Sequence, residues 1–178
     1  MKKYMFIVFG LVFFAVIIGA LNLPAALHGS TNAFTLESPA FFNGRYIPKK
    51  FSCDGENVNP ELVINNIPAG TKSLALLMFD PEAPSGIFVH WVVYNIPPSV
   101  GRIREGSVPS GAIVGLNSEG KPSYIGPCPP PPDSHQYTFV LYGLDIAINQ
   151  KGLDKNGLEA AMQGHVLDKT TLIGLYRK

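Results

Sequence analysis

SLALLMFDPEAPSGIFVHWVVYNIP, Ser73 to Pro97, holds two apolar runs separated by a short excursion of Pro, Gly and acidic residues. Ser73–Phe79 is almost continuously apolar, which fits a central strand covered on both faces better than a strand with one wet side. Phe88–Asn95 is equally rich in Val, Phe, Tyr and Trp, and Asp, Pro and Gly bound both runs as strands are usually bounded. The segment therefore reads as two strands, Ser73–Asp80 and Phe88–Asn95, and the fold around it as β-rich.

Outward from this pair, the same composition marks Phe34–Leu36, Glu61–Asn65 and Tyr137–Asp145 as strands, with Thr171–Tyr176 as a final one. A single helix is signalled. Asn156 would cap it, it would start near Gly157 with Leu158, Ala161 and Met162 at helical spacing, and it would end by Gly164 or Asp168. Pro97–Pro132 is dense in Gly and Pro with little periodicity, so it reads as loop, where a rigid sheet usually carries its binding residues.

The chain has 178 residues, 46% hydrophobic and only 15% charged, which excludes a disordered polymer and suits one domain. Part of that apolar content is local. Tyr4–Leu21 is a stretch of eighteen uncharged residues behind Lys2 and Lys3. As a helix it would span about 27 Å, close to a bilayer core, so residues 1–29 read as a signal peptide or signal anchor and residues 30–178 as the exported domain. Cleavage after Ala20 and retention as an anchor both place the domain outside the cytoplasm, in the periplasm, in the extracellular space or on the membrane. Without residues 1–29 the chain keeps 12 basic and 13 acidic side chains, a formal charge of −1. No basic field remains for nucleic acid or an anionic membrane surface.

Two cysteines, Cys53 and Cys128, are 75 residues apart. Export would allow a disulfide to persist between them, while two buried free thiols is the alternative that sequence leaves open. Three islands concentrate polar chemistry. Cys53-Asp54-Gly55 reads locally as a turn. Asp80 ends one strand and His90 lies inside the next, so the excursion between them would return the imidazole beside the carboxylate, which would orient it. The plainer reading is a turn aspartate and a core histidine with its own partner. In GPCPPPPDSHQY, Gly126–Tyr137, the prolines make an extended wall without N–H donors, and His135, Tyr137 and Phe139 share one face of the strand that follows. A proline-rich docking peptide is the alternative, disfavoured because the run leads directly into an apolar strand.

Together the motifs resemble the phosphatidylethanolamine-binding protein family, and within it the prokaryotic branch similar to Raf kinase inhibitor protein. The likeness runs from about Phe34 to Tyr176 and rests on CDG at 53–55, NPEL at 59–62, PAGTKSLAL at 68–76, DPEAP at 80–84, HWVVYNIP at 90–97, GPCPPPPDSHQY at 126–137, LYGLD at 141–145 and MQGHVL at 162–167. The resemblance implies a mainly β fold, a large antiparallel sheet packed with a smaller one, few short helices and one helix near the C-terminus. It implies a small pocket for phosphate or a phospholipid-type anionic headgroup, carried over to Asp80, Pro84, His90, Cys128, Pro129, His135 and Tyr137. Asp80 would hold His90 or a ligand ammonium. The resemblance also brings Cys53 and Cys128 together beside the pocket, where a disulfide would join them. Two departures stand out: Glu82 replaces an Asp of the family pattern, and Gln136 replaces an Arg. Phe88 is the nearest match to the aromatic residues on the pocket rim of some relatives.

The expected function is non-enzymatic binding of a small anionic or phosphate-bearing ligand, with no cofactor and no metal. Since the family includes inhibitors, a protease or kinase is a further partner class. No nucleophile sits in an activating context and no Gly-rich phosphate loop precedes a helix. The rival class is a metal-dependent hydrolase built on His90, His135, Asp80 and one thiolate, whose donor types suit zinc although the short spacings of common zinc motifs are absent.

Overall fold

A computed structural model of the protein describes Met1 and residues 33–178. The signal or anchor segment read in residues 1–29 lies outside the described residues, apart from Met1. Among the described residues no helix is long and apolar enough to cross a membrane.

The chain runs β1 (Thr35–Glu37), β2 (Arg45–Tyr46), a 3₁₀ turn (Lys49–Phe51), β3 (Leu62–Asn65), β4 (Ser73–Asp80), β5 (Phe88–Ile96), β6 (Arg102–Ile103), β7 (Ile113–Val114), β8 (Ser134–Leu144), α1 (Lys155–Met162) and β9 (Val166–Arg177). A six-stranded sheet has the order β2-β9-β8-β4-β5-β7, and a three-stranded sheet the order β1-β3-β6. The fold is mainly β, with one α-helix near the C-terminus. All pairings are antiparallel except β2 with β9, a two-residue parallel contact at the edge of the large sheet.

The continuous apolar run of β4 follows from its position between β8 and β5 with a core on each face. Leu74, Leu76 and Met78 enter a cluster with Leu36, Leu62 and Ile64 of the small sheet and with Trp91, Phe139 and Leu141. Ala75 and Leu77 enter a second cluster with Val92, Tyr94, Leu158 and Met162, roofed by α1. Alternation of period two thus feeds two apolar environments.

Three expectations change. The helix starts at Lys155 because Asp154, not Asn156, is its cap: the Asp154 carboxylate accepts the Gly157 N–H at 2.8 Å. The last strand begins at Val166, five residues before the expected Thr171, because Val166–Thr170 pair with β8 although their side chains face solvent or are half-buried. The expected loop Pro97–Pro132 includes β6 and β7, two-residue contacts too short to carry a pattern.

Candidate functional site

β4 ends at Asp80 and β8 begins at Ser134 beside it. The pairing of Phe79 with Thr138 carries Asp80 toward the head of β8. His135 and Tyr137 alternate with exposed Gln136, so both rings are buried while Gln136 points away. The imidazole of His135 donates from Nδ1 to Asp80 Oδ2 at 2.7 Å, in a pair whose side chains are only 8% and 4% exposed. The other Asp80 oxygen accepts the Glu82 N–H at 2.8 Å. Glu82 then reaches across to accept the Gln136 N–H at 2.6 Å, so the residue that departs from the family pattern ties the β4–β5 excursion to β8.

His90 reaches the same place by a different device. Met78 pairs with Trp91 and Phe79 with Val89, which leaves His90 as an extra residue in a β-bulge of β5. Bulges re-aim side chains and are common beside functional sites. His90 Nδ1 lies 2.8 Å from the carbonyl of Ile125, and the Ile125 N–H bonds the His90 carbonyl in return at 3.0 Å. The carbonyl can only accept, so Nδ1 carries the proton and Nε2 of the neutral ring holds a lone pair. The ring lies tilted by 58° against Phe88 (centroids 4.9 Å) and meets Tyr137 edge-on at 5.1 Å.

The expected Asp80–His90 pair is therefore not formed: Asp80 holds His135, and His90 is held by a loop carbonyl. The reason is the bulge together with the second neighbour of β4, since β8 offers Asp80 an imidazole on its own face. The third island closes the cavity. Gly126 is seated where a side chain would collide, its N–H donating to Asn57 Oδ1 at 2.7 Å and a Cβ running into the Phe51 carbonyl. Cys53 and Cys128 are joined in a disulfide with Cα atoms 5.5 Å apart.

Asp80, Pro84, His90, Cys128, Pro129, His135 and Tyr137 all line one cavity of about 220 Å³. Phe88 stands on its wall as well. Ser85, Glu119 and Gly126 also line it and carried no functional signal of their own in the sequence. Glu119 sits in a loop remote in sequence and is paired with Lys121 at 3.0 Å. A larger cleft near the start of α1 has Asp154 committed to the cap and Lys155 bound to Glu159, which leaves it no free charged group of comparable use.

Burial lowers the His90 pKa from its ordinary 6.5, a shift only partly opposed by its backbone partners and by Asp80. Burial, with Asp80 nearby, pushes the Tyr137 phenol up, so it stays a neutral hydrogen-bond donor. For His90 the unfolded chain takes up its proton near 6.5 and the folded chain only below that. Stability is thus complete above about 6.5 and is lost as pH falls from there toward the folded-state value. Urea midpoints measured at pH 7.5 and 5 should show this loss in the parent protein and a smaller one in His90→Gln. Equal losses in both would assign the acid sensitivity to other groups.

A two-sheet β domain with a buried carboxylate–imidazole pair, a second imidazole on a bulge and a proline wall defines a small, largely apolar pocket with a few convergent polar groups at the end of a sheet. A family model described as phosphatidylethanolamine-binding protein matches residues 37–177, and the chain belongs to that family. The UPF0098 protein of Methanothermobacter thermautotrophicus is 43% identical over 149 residues, covering 80% of this chain and 98% of the relative. A homologue of Chlamydia trachomatis, described as a phosphatidylethanolamine-binding protein homologue, has a structure similar at TM-score 0.79 and 40% identity, covering 83% of this chain and 99% of that one. Escherichia coli YbcL, described as a new member of the mammalian phosphatidylethanolamine-binding protein family, is similar at TM-score 0.76 and 26% identity, with 82% of this chain and 98% of that one covered.

Proposed function

We propose that the protein is an exported, non-enzymatic binding protein whose pocket takes phosphate or a phospholipid-type anionic headgroup. The observation that carries this reading is the convergence of His90, His135 and Tyr137 on one cavity of about 220 Å³, with Asp80 occupied by His135. The Tyr137 phenol donates to a phosphoryl oxygen, and each imidazole does so when its Nε2 is protonated. At neutral pH the His90 Nε2 accepts instead, which suits a ligand that brings an O–H or N–H of its own. The expected imidazolium contribution of His90 consequently falls below 6.5 rather than around it. Export is supported by the uncharged stretch Tyr4–Leu21 and by a disulfide whose two residues are solvent-exposed, a state that persists in oxidising compartments.

The hydrolase alternative loses its thiolate, because both cysteines are in the disulfide. Among the described residues no group of three His, Cys, Asp or Glu is arranged to hold a metal ion.

Calorimetric titration with phenyl phosphate over a pH series descending from 6.5 tests the reading, each point compared with the parent protein. His90→Ala should weaken binding by about 1.5–3 kcal/mol, the range for a hydrogen bond to a charged group. Unchanged affinity would place the anion elsewhere, and release of inorganic phosphate by the parent protein would make it an enzyme.

A further inference from the structure

The disulfide has a place in the pocket that stability alone does not explain. Cys128 is a lining residue, followed by Pro129 and Pro130, which also line the cavity. Pro129–Pro132 have no N–H groups, so no ladder can hold this wall. Its ties among the described residues are few. The Cys53 N–H donates to the Pro127 carbonyl at 3.1 Å, the Cys128 backbone rests against the Tyr137 phenol, and the Asp133 N–H closes a turn on Pro130 at 3.2 Å. The covalent tie is the bond from Cys128 to Cys53, which sits on a turn secured to the rest of the fold. Ser52 and Asp54, its neighbours, are hydrogen-bonded to the Tyr176 hydroxyl at 2.7 and 2.8 Å.

We infer that the Cys53–Cys128 disulfide regulates the pocket: its reduction by an external dithiol loosens the proline wall and lowers anion affinity, while a bound anion resists that reduction. This deepens the binding function proposed above and rests on it. Both cysteines are exposed, so the dithiol reaches them. Lys178 Nζ lies between the two, 3.9 Å from Cys128 Sγ and 3.8 Å from the Asp54 carboxylate next to Cys53. The cation favours Cys128 as the leaving thiolate, so the dithiol attacks the Cys53 sulfur. The sulfur–sulfur bond breaks and a mixed disulfide forms at Cys53. The second thiol of the reagent then displaces Cys53, so that two electrons and two protons pass to the protein and the dithiol leaves as a cyclic disulfide. Coupling is reciprocal by thermodynamic necessity.

The test uses the full chain, inorganic phosphate and dithiothreitol redox buffers. Phosphate affinity should fall about tenfold on reduction, within the range usual for coupled sites, with the circular dichroism of the fold retained. Saturating phosphate should lower the reduction potential of the disulfide by the same factor, about 30 mV. The double variant Cys53→Ala/Cys128→Ala should bind like the reduced chain. Equal affinity in oxidised and reduced forms overturns the coupling alone. Reduction that unfolds the chain overturns it too, since the bond would then hold the whole fold rather than the wall. Absence of phosphate binding in both forms ends the anion reading and the coupling with it.

Discussion

His135→Ala should destabilise the domain by about 3–5 kcal/mol, the usual cost of depriving a buried ionised group of its partner. The substitution strips the Asp80 carboxylate, at 4% exposure, of its imidazole partner and leaves it the Glu82 N–H and the Tyr137 phenol. A loss of that size lowers the melting temperature by roughly 10–15 °C in a domain of about 150 residues. Thermal unfolding of His135→Ala, Asp80→Ala and the double variant checks the assignment. The double variant should be less destabilised than the two single effects added together, because the second substitution removes the abandoned group. Strict additivity would mean that the two side chains do not interact.

Replacing both cysteines by alanine should cost about 4.5 kcal/mol in the chain-entropy model for a bridge across 75 residues, and the melting temperature should drop by roughly 15 °C. The sheets should survive at 25 °C, because neither core cluster includes a cysteine. A change below about 1 kcal/mol would mean that the unfolded chain gains little freedom when the bridge is removed.

The two central strands were legible because their apolar runs exceed what any surface element tolerates. Ser73–Asp80 is observed with the expected bounds, and β5 extends its expected range by one residue. The cavity-lining residues were legible through family motifs, whereas their hydrogen-bond partners were not. Which imidazole Asp80 takes depends on a bulge, and nothing in FVHWVVYN marks His90 as the extra residue. The Ile125 carbonyl that holds His90 is a backbone group with no side-chain signature. Glu119 approaches the pocket from a loop whose path depends on tertiary packing, and the helix cap was misplaced by two residues because Asp154 and Asn156 are both good caps.

The bulge at His90 separates the history of the site from that of the scaffold. Every ladder pair around it, Met78 with Trp91 and Phe79 with Val89, is already in the register that an uninterrupted strand would adopt if His90 were absent. Loss of a single codon would therefore bring the pairs on either side of His90 into one register and remove one imidazole from the cavity, together with the two hydrogen bonds that join His90 to Ile125. A homologue lacking that residue would keep Asp80 and His135 at the head of β8 and present one imidazole to the cavity instead of two.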